Sequence, residues 1–159
     1  MKCPECGRKM ATRTATKVKP YVYRGSGLDG VLLVGIKVHE CGSCGPAPEI
    51  PQIRELHKVL THWILEKPKK LTGKELRYLR KHAGIAAVRF AEQLGIRPEH
   101  LSRVENGHRE VSNQLDKLAR VIVALGIENK DVRDVLSGGR RNRVLRYSSS
   151  RNVWEIKAA

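Results

Sequence analysis

The sequence predicts an α+β fold, in which a small β region that carries all of the cysteines precedes an all-helical region. Three observations support this prediction. The cysteines lie within the first 45 residues, and the segments between them alternate in polarity or are β-branched. Helix start and stop signals follow one another closely from Leu71 to Leu125. Two β-like segments come last, after Arg143, and the length of 159 residues leaves room for two small domains.

The cysteines form two Cys-x-x-Cys pairs, Cys3 with Cys6 and Cys41 with Cys44. In a reducing cytosol, such pairs are typical of a tetrahedral thiolate site that holds zinc and leaves no open position for water. The sequence therefore predicts one structural zinc ion per chain, bound by all four cysteines. A redox role would need a helix start in a βαβ context, and the sequence lacks one.

Strands are predicted between the two cysteine pairs. Residues 11–17 and 21–23 alternate in polarity, and residues 31–38 form a β-branched run. These segments define a predicted zinc-binding domain over residues 1–50. The proline-rich residues 46–51 are predicted to form a short, stiff linker at its end.

A linker helix is predicted within residues 51–70, from Gln52 to Lys67, where Pro68 ends the pattern. Its apolar residues form one narrow seam: Ile53, Leu56, Leu60 and Trp63. This seam packs either on the neighbouring domain or in a dimer. His57 and His62 of the same helix are expected to be solvated rather than metal ligands.

The helical domain is predicted over residues 71–137. Thr72 and Glu75 have the spacing of a capping box, and Pro98 stands at the first position of the third helix, where its missing N–H costs nothing. Glycines end three successive short helices: Gly84, Gly95 and Gly107. Ser112 then caps a fourth helix with a predicted inner stripe of Leu115, Leu118, Ala119, Ile122 and Leu125.

The C-terminal part of the sequence leaves two alternatives open. A short fifth helix is predicted from Asn129 to Leu136, and residues 138–159 form a basic tail. Segments 143–147 and 153–156 are β-like and are predicted to pair as a β-hairpin. Alternatively, the tail is a disordered basic arm that contacts phosphate groups.

Charge and hydropathy restrict the class of function. The chain has 31 Lys and Arg against 16 Asp and Glu, a net charge of +15, which favours a polyanionic partner such as DNA. The sequence has no long apolar run and no apolar signal core, so we expect a cytoplasmic protein that does not span a membrane. The order of His39, Glu40 and Cys41 does not fit a zinc deaminase, and we expect no enzymatic activity.

Two short helices joined by a glycine turn predict a helix-turn-helix motif. The segment from Phe90-Ala-Glu-Gln-Leu-Gly-Ile to Leu101-Ser-Arg-Val-Glu-Asn-Gly resembles the Cro/CI (Xre) family of phage and bacterial repressors. The residues that match its packing positions are Ala91, Leu94, Gly95, Leu101 and Val104. The resemblance implies that the third helix enters the major groove, and that Arg80 forms an ion pair with Glu105. Ala86 and Ala87 depart from the family, which usually has Ser/Thr-Gln there, so a helix cap and a phosphate ligand are missing.

The whole layout resembles the MqsA family of antitoxins, with its YgiT-type zinc finger. The resemblance spans residues 1 to about 125 and rests on the paired cysteines, the linker helix and the opening Leu71-Thr-Gly-Lys-Glu-Leu-Arg-Tyr-Leu-Arg80. It implies a homodimer that represses its own operon, with a structural zinc ion. It also implies that the N-terminal domain neutralises a small RNA-cleaving toxin. The alternative is a stand-alone zinc-containing Xre-family transcriptional regulator without a toxin partner.

Six residues around the third helix are the candidate DNA contacts: Arg97, Glu99, His100, Ser102, Arg103 and Asn106. Arginine pairs with guanine O6 and N7, and glutamate accepts from cytosine N4. The resemblance places base reading at Glu99 and Arg103. Alternatively, Glu99 only stabilises the helix start and Arg103 contacts phosphate. Ser102 and Asn106 are predicted phosphate contacts.

Overall fold

A computed structural model describes residues 1–126 and 143–158, and confirms the mixed α+β fold. The predicted helix from Asn129 to Leu136 and residues 138–142 lie outside the described residues. The described chain forms two compact units, which we call the β unit and the helical unit. Within the described residues, the β unit comprises 1–25, 29–56 and 143–158, and the helical unit comprises 26–28 and 57–126.

Seven strands form two separate sheets in the β unit. The strands are β1 (Ala11–Thr14), β2 (Tyr21–Val22), β3 (Leu32–Val34), β4 (Lys37–Cys41), β5 (Gly45–Glu49), β6 (Arg143–Ser148) and β7 (Val153–Ala158). One sheet has the order β1-β4-β5 and is antiparallel throughout, with His39 opposite both Thr12 and Ala47. The other has the order β2-β3-β6-β7. The cysteine-bearing part of the chain therefore contributes to both sheets.

The β-branched run at residues 31–38 is two strands rather than one. Gly35 separates them with a φ of 80°, a left-handed conformation that costs glycine little. The break is held by two backbone hydrogen bonds, from Gly35 N to Ala15 O and from Ala15 N to Ile36 O, both 2.8 Å long. The glycine thus sends β3 and β4 into different sheets.

The proline-rich segment predicted as a linker is instead strand β5. Pro46 and Pro48 lie opposite Glu40 and Val38 of β4. Because β5 is an edge strand, it needs a partner on one side only, and proline is tolerated at such positions. The prediction of a linker was wrong because prolines usually interrupt regular structure, and the sequence pattern did not show that β4 would pair with this segment.

The predicted C-terminal hairpin is confirmed, and it belongs to the β unit. β6 and β7 pair in antiparallel fashion over their whole length, and Asn152 adopts a positive φ of 54° in the turn. β6 also runs parallel to β3, with Leu33 opposite Leu145. Trp154 is buried, and its Nε1 donates to the Pro51 carbonyl at 3.0 Å. The C-terminal hairpin thereby extends the sheet of β2 and β3.

In the part of the chain that the structure describes, five helices follow the first five strands. They are α1 (Ile53–Glu66), α2 (Gly73–His82), α3 (Ala87–Gln93), α4 (Pro98–Glu105) and α5 (Asn113–Gly126). α1 buries Leu56, Leu60, Ile64 and Leu65, whereas Ile53 is 46% exposed and Trp63 is half-buried. The predicted seam was therefore wrong at Ile53, its first residue. Leu56, Leu60 and Ile64 follow one another at intervals of four residues, which places them on one face of the helix, with Leu65 beside them. In the described residues, none of the helices is long and apolar enough to cross a bilayer.

Arg120 of α5 holds the C-terminal end of α1. Its guanidinium is almost wholly buried, at 4% exposure, and donates to four backbone carbonyl oxygens. These belong to Ile64, Leu65, Lys67 and Lys69, at 3.2, 2.6, 3.0 and 2.8 Å. The last carbonyls of a helix have no partner within it and carry partial negative charge, so a cation here is favourable.

The contact with α1 also explains why the predicted inner stripe of α5 was only partly right. The residues that α5 buries are Leu115, Ala119, Arg120, Val123 and Ala124. Leu118 and Leu125, predicted to be internal, are 42% and 70% exposed, and Ile122 is half-buried. Because Arg120 faces inward, the buried side of α5 is rotated away from the predicted stripe, which contained only apolar residues.

The predicted capping signals of the helical unit are confirmed. Glu75 N donates to Thr72 Oγ1 at 3.3 Å, and Thr72 N donates to Glu75 Oε2 at 2.7 Å, which completes the capping box. Glu75 Oε2 also accepts a hydrogen bond from Lys67 Nζ at 2.6 Å. Ala86, at the start of α3, provides no side-chain cap, as the departure from the Xre pattern implied.

His57 is not solvated, contrary to the prediction. Its ring stacks on Tyr78 and His82 of α2, with centroid distances of 5.8 and 5.6 Å, and its Nδ1 lies 2.8 Å from the Tyr78 hydroxyl. Burial lowers the pKa of both His57 and His82. The aromatic cluster therefore favours neutral imidazoles at the junction of α1 and α2.

Candidate metal centre and nucleic-acid interface

The four predicted cysteine ligands converge. The Sγ atoms of Cys3, Cys6, Cys41 and Cys44 all lie within 4.8 Å of one another, and those of Cys6 and Cys41 are 3.5 Å apart. Four sulfurs around one zinc ion, each about 2.3 Å from the metal, would stand about 3.8 Å apart. The cluster could therefore hold one metal ion with small adjustments.

The two cysteine pairs have matching local structure. In each pair the first cysteine, Cys3 or Cys41, is buried and the second is exposed. A glycine with a positive φ follows each pair, Gly7 at 70° and Gly45 at 89°. Cys41 ends β4 and Cys44 lies in the turn that joins β4 to β5, whereas the first pair lies in a turn closed by a 2.8 Å hydrogen bond from Gly7 N to Cys3 O. The tight turns direct the sulfur atoms of both pairs toward one common site.

The surroundings of the sulfurs favour a bound cation. Backbone N–H groups of Ser43 and Cys44 donate to the Cys41 sulfur and lower the pKa of its thiol to about 6. The pKa of Cys44 is raised, chiefly by its hydrogen bond with Cys6. Four neighbouring thiolates repel one another, so the sulfurs cannot all ionise without a positive charge between them. A divalent metal ion would supply that charge.

Three polar contacts link the strands and turns that carry the cysteines. His39 Nδ1 lies 2.8 Å from Thr12 Oγ1, and His39 Nε2 lies 2.7 Å from Glu49 Oε1, so one buried imidazole joins all three strands. The hydrogen bond between His39 and Glu49 lowers the pKa of the Glu49 carboxyl group. Arg8, which follows the first pair, donates to the Ser43 hydroxyl within the second. The role of His39 could not be predicted from the sequence, because its partners lie on other strands.

The helix-turn-helix has a distinct outer face. Gly95, with a φ of 66°, joins α3 to α4, and α4 buries Leu101, Val104 and Glu105. Among the candidate DNA contacts, the exposed residues one helical turn apart are Glu99, Ser102, Arg103 and Asn106. His100 is half-buried, and exposed Arg97 precedes the helix. Four of the six predicted DNA contacts thus share one solvent-facing side of α4.

Asn106 is engaged within the protein. Its Nδ2 donates to Ser102 O at 2.8 Å and reaches Ser102 Oγ at 3.3 Å, at the end of α4. Its Oδ1 accepts from Arg77 Nη1 of α2 at 3.4 Å. The two predicted phosphate contacts on α4 therefore form one hydrogen-bonded group with Arg77, a residue that the sequence analysis did not single out.

α2 and α4 are fixed to each other by the predicted ion pair. Arg80 Nε lies 2.6 Å from Glu105 Oε1, and Nη2 lies 2.9 Å from Oε2, a two-point contact between side chains about 90% buried. The contact with Glu105 raises the pKa of Arg80. The helices also approach closely at Gly73, where a Cβ atom would stand 2.0 Å from the Val104 carbonyl oxygen. The orientation of α4 is therefore set by α2.

Comparison with known families supports this interface. A helix-turn-helix family model matches residues 76–127, from within α2 through α5. Neither a curated protein nor a solved structure matches the chain. The chain thus contains an Xre-type helix-turn-helix domain, which supports a DNA-binding transcription regulator.

Proposed function

We propose that this protein represses its own operon as a homodimer on palindromic DNA and acts as the antitoxin of a small RNA-cleaving toxin. The observation behind this proposal is the exposed face of α4, which presents Glu99 and Arg103 to solvent. In helix-turn-helix domains of this kind, the corresponding helix reads the major groove. A single such helix contacts only a few base pairs, too few to select one site in a genome. Two copies would place two α4 helices about one helical turn of DNA apart, or a small multiple of it.

The cysteine cluster has a structural role in this proposal. Cys3, Cys6, Cys41 and Cys44 would bind one zinc ion per chain and hold the turn before β1 against the turn between β4 and β5. When bound, zinc would supply the charge that stabilises four thiolates. Four protein ligands fill a tetrahedral zinc site, so the ion would have no position for a reacting water. We therefore propose a binding protein and not an enzyme.

The antitoxin role rests on the resemblance to the MqsA family, in the order of cysteine pairs, linker helix and helix-turn-helix. The alternative is a stand-alone zinc-containing regulator. A neighbouring reading frame whose product stops growth, and is silenced by this protein, would favour the antitoxin. A neighbourhood without such a frame would favour the regulator.

The DNA-reading role is tested with a duplex selected by the wild-type protein from a random pool, and with a random duplex of equal length. Arg103→Ala should cost about 1–3 kcal/mol per half-site on the selected duplex and relax the preference at one base position. Asn106→Ala should weaken binding to both duplexes alike. If Arg103→Ala weakens both equally, Arg103 is a phosphate contact, and base reading moves to Arg97, Glu99 or His100.

The toxin-binding role is best tested in the full-length chain. Removing residues 1–50 would also take β3 away from β6, so truncation disturbs the C-terminal hairpin as well. Cys6→Ser with Cys44→Ser changes two exposed cysteines and removes no residue of any strand. This variant should lose neutralisation of the toxin and keep most of its affinity for the selected duplex. Retained neutralisation by a variant shown to lack metal would contradict the proposal.

A further inference from the structure

An open groove of about 820 Å³ lies in the β unit, between strand β2 and the sheet of β1, β4 and β5. One side of the groove includes Ala11, Glu40 and Pro46, which stand opposite one another on the three strands of that sheet. The other side is formed by residues 20–22 and by Arg24. We call this cavity the β2 groove.

The backbone of β2 has a free edge. In the part of the chain that the structure describes, β2 is the outer strand of its sheet, so only β3 pairs with it. Tyr21 lies opposite Leu33, and Tyr23 N donates to Val31 O at 2.8 Å, so residues 21 and 23 direct their backbone groups toward β3. In an antiparallel pair, the residue between them directs its N–H and C=O the opposite way. Val22 therefore offers one donor and one acceptor to a further strand.

The free edge of β2 lies among exposed apolar side chains. Edge strands are often protected by prolines, as β5 is by Pro46 and Pro48, whereas β2 contains neither a proline nor a charged residue. Val22 and Leu32, directly opposite each other on β2 and β3, are both exposed, as is Val18 in the turn before β2. Exposed apolar side chains beside an open sheet edge are typical of a protein-binding surface.

The charged groups at the β2 groove favour an anionic ligand. Arg13 Nε lies 2.6 Å from Glu40 Oε1, and Lys19 Nζ lies 3.7 Å from the same oxygen, so two cations already share this carboxylate. Arg24 is exposed and forms no hydrogen bond or ion pair with another described residue. Three cations thus stand against one acid, and Arg24 is the cation available to a carboxylate of a partner.

From the free edge, the exposed apolar side chains and the excess of positive charge, we propose that the β2 groove binds an acidic peptide of a partner protein in an extended conformation. The peptide adds as a strand beside β2, with its backbone paired to Val22 and a carboxylate paired to Arg24. Because β2 is short, its backbone bonds alone would bind weakly, and the side-chain contacts supply the selectivity. Residues two apart in a strand face the same side, so the peptide carries an apolar residue two positions from an acidic one.

This peptide site goes beyond the proposed function, since no residue of α4 takes part in it and the peptide is recognised whether or not a toxin exists. The probe that tests it is a fluorescein-labelled peptide of alternating valine and glutamate. Fluorescence anisotropy measures its affinity for the full-length chain with bound zinc, at 150 mM salt, where the Debye length of about 8 Å weakens non-specific attraction to a basic protein.

Two substitutions in the groove are compared with two matched controls. Arg24→Gln removes the free cation, and its control is Arg54→Gln, an exposed arginine of the β unit outside the groove. Val22→Pro removes the outward N–H but none of the bonds to β3, and its control is Val22→Ile, which keeps the N–H. Thermal unfolding verifies that each variant is folded.

Arg24→Gln should weaken peptide binding about tenfold, and Val22→Pro about threefold to tenfold, because each removes one hydrogen-bonding group from the site. Both controls should stay within about twofold of the wild type. Hydrogen exchange of the wild-type Val22 N–H should also slow when the peptide binds, a result that stands even where Val22→Pro does not fold.

Equal weakening by Arg24→Gln and Arg54→Gln, or unchanged exchange at Val22 in the presence of bound peptide, would overturn the proposal. Labelled single-stranded oligothymidylate is the comparison ligand. If Arg24→Gln weakened the binding of the oligonucleotide but not that of the peptide, the groove would be a nucleic-acid site, and the proposal would be wrong.

Discussion

The two units of this protein are stabilised in different ways. The helical unit buries a compact set of large side chains that are almost wholly inaccessible: Leu60, Ile64, Leu65, Leu76, Leu79, Phe90, Leu101 and Val104. The β unit has fewer: Leu33, Ile36, Val38 and, from the start of α1, Leu56. A small unit with so thin a core usually needs a metal or a covalent link. We therefore expect a metal ion bound by the cysteine cluster to stabilise the β unit as apolar packing and buried ion pairs stabilise the helical unit.

Removing one metal ligand should reveal the difference between the two units most strongly. Cys41→Ser should abolish metal binding and unfold the sheet of β1, β4 and β5, because structural zinc contributes about 10–16 kcal/mol in small zinc-bound peptides. The helical unit should keep its far-UV helical signal. Metal analysis and circular dichroism before and after chelation measure both effects. Reduced wild-type protein that contains no zinc would contradict this account.

Removing the cation at the end of α1 should have the next largest effect. Arg120→Met keeps most of the side-chain volume, but leaves four carbonyls without their donor and Asp116 without its 3.3 Å ion pair. We expect the helical unit to lose about 3–5 kcal/mol, the range for breaking a buried pair on one side. Urea unfolding gives the value, and exposed Lys117→Met on the same helix is the control. A loss no larger than that of the control would mean that water replaces the guanidinium.

Neutralising Glu105, the carboxylate between α2 and α4, should lower the stability of the helical unit by a somewhat smaller amount. Glu105→Gln strands the charge of Arg80 but keeps one acceptor oxygen, so we expect about 3 kcal/mol, at the low end for such pairs. Thermal unfolding measures the loss, with Glu99→Gln on the exposed side of α4 as the matched control. An unchanged melting temperature would show that the pair adds no stability.

A cap added to α3 should widen the difference between the units by stabilising only the helical one. Ala86 has the extended backbone of an N-cap, with φ −64° and ψ 146°, but no side-chain oxygen. Ala86→Ser should stabilise the helical unit by about 1 kcal/mol, because a serine hydroxyl can accept from a free N–H of the first turn. Ala87→Ser, one residue into the helix, should give no such gain. Equal melting shifts in the two variants would contradict the capping explanation.

Acid should weaken the helical unit slightly. The folded-state pKa values of His57 and His82 are lowered by burial, so the unfolded chain binds more protons near their ordinary value. Stability should fall as the pH drops below about 6.5, the usual histidine pKa, and stay level above it. Melting temperatures across pH 5 to 8 for wild type and His82→Gln should show a weaker dependence in the variant. An identical dependence would exclude His82 as a contributor.

The features that could be predicted from the sequence mostly have close neighbours in the chain as their cause. The capping box needs only Thr72 and Glu75, three residues apart, and the turns of the helix-turn-helix need only their glycines. The convergence of the four cysteines was predictable because two Cys-x-x-Cys pairs in one small region are typical of a single metal site, whatever lies between the pairs. The Arg80–Glu105 pair was predicted through the resemblance to Xre domains, since no local pattern links residues 25 positions apart.

The features that could not be predicted have partners far away in the sequence. Arg120 meets carbonyls more than 50 residues earlier, and this contact turns α5 away from its predicted apolar stripe. Residues 45–49 become a strand because β4 lies beside them, and the C-terminal hairpin joins β3 across more than 100 residues. A backbone hydrogen bond or a buried cation depends on which groups the fold brings within about 3 Å, and local patterns in the sequence do not show which groups these are.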